Sequence, residues 1–338
     1  MSTMLLALLF SLAPHEEPAS RPVQTEPLRL GRGTHTYEWV SHWPKRPAGE
    51  ELGSMHGGIV VDRRGRVLVS TDERGILVID REGTIVASLC EELGAGVHSM
   101  TLWEESDRDL LLLAYLHNEI VAATLDGKIV WRLGTPTPSG LYPSDGETQV
   151  RYSPTGIALA PGGELYVADG YGTSYVHRFD FAREYVASFG GPGPELGKLQ
   201  TPHGILFDTR SDVPQLVVAD RENSRLQVFD LEGGPLAEYP ADVRRPCALD
   251  LDAEGNMVVA DLDGRVTILD PSFELVTHLG ENPVAEQRAN YGVPPEDWRD
   301  GVFLAPHSAA WDAEGNLYVA EWNRHGRIVK LARVRDGG

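Results

Sequence analysis

ELYVADG (Glu164–Gly170), QLVVADR (Gln215–Arg221), NMVVADL (Asn256–Leu262) and NLYVAEW (Asn316–Trp322) are four copies of one pattern. Each is a short β-branched and aliphatic run ending in Ala and an acid. RVLVSTD (Arg66–Asp72) and LLLLAYL (Leu110–Leu116) are divergent copies. A shorter apolar segment precedes each copy: GIVVD, SMTLW, GIALA, GILFD, ALDLD and SAAWD. Turns such as DRRG, APGG and DAEG join the two, with glycine supplying the positive φ that a tight hairpin needs. A third run follows, such as RLQVFD or RIVKLA, and in most copies a fourth, such as EYVASFG. Four strands per unit is the build of a propeller blade. Six units predict an all-β, six-bladed β-propeller with four-stranded antiparallel blades.

The residues just before the first strands are His56, His98, Thr155, His203, Cys247 and His307. Two of the intervals between them are lengthened by insertions, Thr135–Arg151 and Glu281–Val302. Both are rich in Pro, Gly and polar residues and read as loops on one face, where function often resides. The sixth unit lacks a fourth strand of its own. THTYEWVSHW (Thr34–Trp43) resembles one, so it is expected to pair with the last blade and close the ring, leaving no open edge.

The chain has 338 residues, 41% of them hydrophobic and 24% charged, which fits a globular protein. Residues 31–335 are read as one propeller domain, and residues 1–30 as a leader. The 50 acids against 30 Lys and Arg give a net charge of −20, a field that repels nucleic acid and anionic membranes. The apolar run Met4–Ala13 is too short to span a bilayer but has the length of an export signal core. That points to a secreted or periplasmic protein. No Lys or Arg precedes the run and the cleavage motif is poor, which points instead to the cytoplasm. No other stretch is long and apolar enough to cross a membrane, and a monomer is expected. The two cysteines, Cys90 and Cys247, form no CxxC pair.

In a propeller the six residues before the first strands face the central axis. Blades two, four and six are about a third of a turn apart. His98, His203 and His307 therefore converge on one axial point. Three imidazoles with an open fourth position suit a catalytic zinc, or another divalent transition metal. His56, in blade one, is read as a supporting residue beside that set. Asp169, Asp220, Asp261 and Glu321 recur at one repeat position and are read as strand-end acceptors for backbone N–H groups. Trp43, Trp103, Trp131 and Trp311 are read as inter-blade core, and Trp298, in the second insertion, as a ligand contact.

The pieces GVHSMTL, SPTGIALAPGGELYVADGY, TPHGILF, VVADRENSRLQVF and APHSAAW, in that order, resemble the NHL-repeat propeller of the peptidyl-α-hydroxyglycine α-amidating lyases. The likeness runs from about His56 to Leu331 and is strongest between Ser153 and Asp230. It implies metal ligation by His98, His203 and His307, an active-site tyrosine at Tyr171, an arginine at Arg221 and a second arginine in the first blade, with Arg74 nearest. It also implies a substrate that is a small molecule or a peptide C-terminus. The chain departs from the family in places. Ser308 stands where the family has a calcium-binding acid, which puts calcium in doubt. Gly172 and Val217 stand where it has disulfide cysteines. The alternative is a non-enzymatic NHL scaffold binding a protein or small ligand. A calcium-centred propeller lactonase would need Glu, Asp and Asn around the axis, where this chain has histidines.

Overall fold

The computed structural model describes residues 26–46, 51–104, 108–143, 150–240 and 242–335. The expected leader run Met4–Ala13 and the middle of the first insertion lie outside the described residues. Among these, no helix is long and apolar enough to cross a membrane.

Two strands come first, β1 (Arg29–Arg32) and β2 (His35–Val40). Blade one is β3 (Ile59–Val61), β4 (Val67–Thr71), β5 (Gly75–Ile79) and β6 (Ile85–Leu89). Blade two is β7 (Val97–Glu104), β8 (Asp109–Tyr115), β9 (Glu119–Thr124) and β10 (Ile129–Leu133). Blade three is β11 (Gly156–Leu159), β12 (Leu165–Ala168), β13 (Tyr175–Phe179) and β14 (Tyr185–Gly190). Blade four is β15 (Pro202–Asp208), β16 (Gln215–Asp220), β17 (Arg225–Phe229) and β18 (Pro235–Tyr239). Blade five is β19 (Pro246–Leu251), β20 (Met257–Asp261), β21 (Arg265–Leu269) and β22 (Leu275–Leu279). The last sheet holds β23 (Pro306–Trp311), β24 (Leu317–Glu321) and β25 (Arg327–Arg333) and takes in β2 and then β1. The fold is thus the expected six-bladed, all-β propeller, with antiparallel pairing throughout each blade.

Burial explains why the middle strands read as unbroken apolar runs. β4, β5, β20 and β21 are buried along their whole length, because neighbouring blades pack on both faces. Strands at the outer rim alternate instead: β10 and β18 expose every second residue or more. Trp43 and Trp311 are buried between blades, and Trp103 and Trp131 pack against the core between blades two and three.

The ring closes as expected: β2 pairs with β25, Tyr37 opposite Arg333 and Trp39 opposite Leu331. Tyr37 is fully buried, and its hydroxyl accepts from Trp311 Nε1 at 3.0 Å. The sheet goes one strand beyond the four expected. β1 lies outside β2, with Arg29 paired to Glu38, and Arg32 reaches the carbonyls of Leu275 and Val276 in blade five. This charged fifth strand covers an edge that β2 would otherwise present.

Candidate metal centre

His98, Cys247 and His307 are each the second residue of an innermost strand and sit in a β-bulge there. β7 has one residue more than β8 between Val97 and Ser99, and β19 and β23 do the same at Pro246–Ala248 and Pro306–Ser308. β15 is irregular in the same place, between Pro202 and Ile205, around His203. A bulged residue drops out of the ladder, and its side chain is re-aimed. Here the three histidines turn to the axis.

The result is a near-equilateral triangle. The imidazole centroids of His98, His203 and His307 lie 4.6, 4.7 and 4.9 Å apart, and one ring nitrogen from each lies within 4.8 Å of the others. All three are buried. His98 Nδ1 bonds the Thr155 carbonyl and His203 Nδ1 the Cys247 carbonyl, each at 2.9 Å. A carbonyl can only accept, so Nδ1 carries the proton and Nε2 keeps its lone pair. His307 Nδ1 is buried without a hydrogen-bond partner, though the Gly57 backbone of the next blade stands close to that ring. Burial pushes the His98 imidazole down to about 3 and holds His203 and His307 well below the usual range, with neighbouring imidazoles and Arg221 adding to the effect. The three are therefore neutral, the ligating form. A buried triangle of neutral imidazoles, with Nε2 fixed as the free atom in His98 and His203, fits a divalent transition metal.

A second ring sits just beyond. In every blade, the residue that donates its N–H to the carbonyl two positions before the axial residue forms the wall of the mouth. These residues are Asp72, Leu116, Tyr171, Arg221, Leu262 and Trp322, bonded to Ser54, Gly96, Ser153, Thr201, Arg245 and Ala305. Tyr171 joins this ring because one extra residue, Gly170, follows Asp169. Its hydroxyl is 3.3 Å from His98 Nε2 and 3.2 Å from His203 Nε2, and accepts from Arg221 Nη1 at 3.2 Å. The Tyr171 ring is 38% exposed, yet its hydroxyl is crowded by these groups. Burial raises the phenol above its ordinary value, and Arg221 pulls the other way. Arg221 is held by Glu222 at 2.9 Å, and its cation lies 5.4 Å over the Tyr171 ring. It also approaches Cys247, whose thiol burial pushes up to about 11.

His56 flanks the triangle, 6.1 Å from both His98 and His307, and burial lowers its basicity. Arg74 stands two residues beyond the ring position, which in blade one is Asp72. Its N–H donates to Thr71 Oγ1 at 3.0 Å and its carbonyl accepts from Ser88. Arg221 is a cation that acts on all three histidines. Trp298, expected at a ligand, lies instead at the outer rim. Its Nε1 bonds the Val293 carbonyl, and Arg327 packs over both it and Trp39.

Two supports were not visible in the sequence. Tyr142, in the first insertion, bonds Asp169 Oδ2 at 2.7 Å and His177 Nε2 at 2.6 Å. Asp169 also accepts from the backbone of Ser153 and Thr173, so this carboxylate fixes the turn that carries Tyr171. Asp220, Asp261 and Glu321 accept backbone N–H groups in the same way, from Gln200, Arg245 and Ala305. The second insertion contributes Tyr291, its ring tilted against Trp322 at 5.0 Å and 6.3 Å from His56.

Along the axis below the histidines runs a cavity of about 560 Å³, lined by Ile59, Met100, Ile157, Leu206, Asp250 and Ser308 among others. Ser308 Oγ accepts the Ile59 N–H at 3.2 Å. Asp250 accepts the Trp311 N–H at 2.9 Å, and burial raises its carboxyl to about 6. Calcium takes six to eight oxygens, carboxylates by preference. Calcium is therefore expected to be dispensable, and a calcium-selective chelator should leave the melting temperature unchanged. A drop of several degrees on chelation, restored by calcium, would contradict this. Cys90 and Cys247 are both free and buried.

No protein-family model matches the chain. It is 41% identical over 73 residues to peptidyl-alpha-hydroxyglycine alpha-amidating lyase 2 of Drosophila melanogaster, covering 22% of this chain and 17% of that protein. It is 30% identical over 166 residues to a probable peptidyl-alpha-hydroxyglycine alpha-amidating lyase of Caenorhabditis elegans, covering 47% and 43%. It is 37% identical over 81 residues to the peptidylglycine alpha-amidating monooxygenase of Rattus norvegicus, covering 22% and 8%. Each match spans less than half the length of the relative. Among solved structures, a streptogramin B lyase superposes with a TM-score of 0.57 at 13% identity over 87% of this chain and 97% of that one. Virginiamycin B lyase from Staphylococcus aureus gives 0.56 at 17% identity over 85% and 97%. At such identities these structures speak for the fold alone. The resemblance to the amidating lyases thus rests on curated relatives as well as on motifs.

Proposed function

We propose that the chain is a metal-dependent carbon–nitrogen lyase acting on a carbinolamide, as in a peptidyl-α-hydroxyglycine. The products are the peptide amide and glyoxylate. The observation that carries this reading is the buried triangle of His98, His203 and His307 with the Tyr171 hydroxyl against two of its nitrogens. The partial identity to proteins named as such lyases supports it. His98, His203 and His307 would hold the metal, with zinc the best match to three imidazoles. A metal there supplies Lewis-acid polarisation of the substrate's hydroxyl or carboxylate.

The chain's own residues supply the rest. Arg221, fixed by Glu222, binds the substrate carboxylate in an otherwise acidic protein. Tyr171 takes the proton of the substrate hydroxyl as the carbonyl forms and the C–N bond breaks. That proton balances the departing amide nitrogen, which gains one hydrogen. Burial works against the phenolate this role requires, and the Arg221 contact at 3.2 Å favours it. The rigid propeller holds these groups on strand ends and turns tied by carboxylates, so little has to move before reaction.

The test is glyoxylate release from a synthetic hydroxyglycine peptide by protein reconstituted with zinc, beside metal analysis. One bound equivalent with catalytic glyoxylate release is expected. Stoichiometric zinc without glyoxylate release from any hydroxyglycine compound would sink the lyase reading.

A further inference from the structure

In a six-bladed ring, blade one faces blade four and blade three faces blade six. The second ring therefore sets Asp72 across from Arg221, and Trp322 across from Tyr171. The mouth has two unlike walls. One carries the guanidinium and the phenol. The other is a continuous wall of Asp72, His56, Trp322 and Tyr291. Ser54 ties its acid, donating to Asp72 Oδ2 at 2.5 Å, and Met55 pairs with Asn323, next to Trp322. Trp322 lies 5.9 Å from His56 and 5.0 Å from Tyr291, and Arg324 holds Tyr291 by a backbone bond at 3.0 Å. Trp322 Nε1 is buried without a partner, an unused donor beside this wall.

We infer that this wall binds the acyl side of the substrate and selects a positively charged group there, an ammonium or guanidinium on the residue preceding the hydroxyglycine. The inference rests on the lyase reading for the placement of the carboxylate at Arg221. Once that end is anchored, the remainder of the substrate must leave across the mouth, toward Asp72 and Trp322. Aromatic faces beside a carboxylate are the chemistry that holds an organic cation. An acid opposite the anchoring arginine also repels a substrate carrying a second negative charge. The net charge of −20 draws cationic ligands from solution in the same sense.

The experiment compares acetyl-Lys-, acetyl-Leu- and acetyl-Glu-hydroxyglycine on zinc-loaded protein, by glyoxylate release and, separately, by equilibrium binding. The lysyl compound is expected to exceed the leucyl one in kcat/KM by about tenfold, mostly through KM, with the glutamyl compound lowest. The preference should shrink as salt is raised. Asp72→Asn should erase most of the Lys-over-Glu ratio, and Trp322→Leu, a second and independent variant, should reduce it. Equal kcat/KM for all three would overturn the inference and leave the lyase reading standing. Tighter binding of the lysyl compound with no glyoxylate from any would do the reverse. A preference unchanged in both variants would overturn the assignment to this wall, and neither binding nor release would overturn both.

Discussion

Replacing His203 with Ala is expected to remove stoichiometric metal and to abolish turnover without unfolding the propeller. His203 stands within ring contact of both other histidines, so its loss reduces three ligands to two. Two imidazoles do not complete a catalytic zinc site, which takes three protein ligands. The cost to the fold should be small, because the side chain makes two hydrogen bonds, to the Cys247 carbonyl and with the Tyr171 hydroxyl, each worth about 1 kcal/mol. The check is metal content by elemental analysis beside a thermal melt. Retention of one tight equivalent in the variant would show that the ion sits elsewhere. The sign of the pH dependence follows from burial. Folded His98, His203 and His307 stay neutral while free histidine protonates near about 6.5. The unfolded chain thus binds more protons below that pH, and metal-free stability falls as pH drops through it.

Tyr171→Phe should lower turnover by about a hundredfold or more, with metal content and melting temperature little changed. The substitution keeps a ring that is already partly exposed and removes only the hydroxyl held between His98, His203 and Arg221. A packing tyrosine would not behave so. A Phe variant with normal turnover on hydroxyglycine peptides would take Tyr171 out of the chemistry.

Much of this was legible in the repeat. The runs ending in Ala and an acid fixed the second strands, and the axial residues followed by counting. The three histidines came together because equivalent positions in a ring share one axis, which needs no knowledge of side-chain detail. Strand β1 escaped because RLGR carries no hydrophobic alternation; it is a charged edge held by Arg29–Glu38 and Arg32. Arg74 was nearest by sequence to an arginine expected in blade one, but the backbone bond to Ser54 gives the ring position to Asp72. Tyr142 escaped because insertions have no repeat to align against, although it binds the same carboxylate that fixes Tyr171. Trp298, which lines a cleft with Trp39 and Arg46 away from the axis, could not be placed for a related reason. An aromatic in an insertion has no register, and Arg327 claims its face at the rim.

The closing sheet has a consequence for how the molecule is made. Tyr37 is bonded to Trp311 and Arg333, 274 and 296 positions further on. Blades one to five each pair strands that are near neighbours in the chain, so they can form as they leave the ribosome. The sixth must wait for its last strand while the inner edge of the local β1–β2 hairpin stays unpaired, a long-range contact of the slow and exposed kind. His98 and His203 belong to the early blades and His307 to the late one. A nascent chain therefore offers an ion two histidines for most of its synthesis. The capacity to retain it arrives only with the strands that shut the circle.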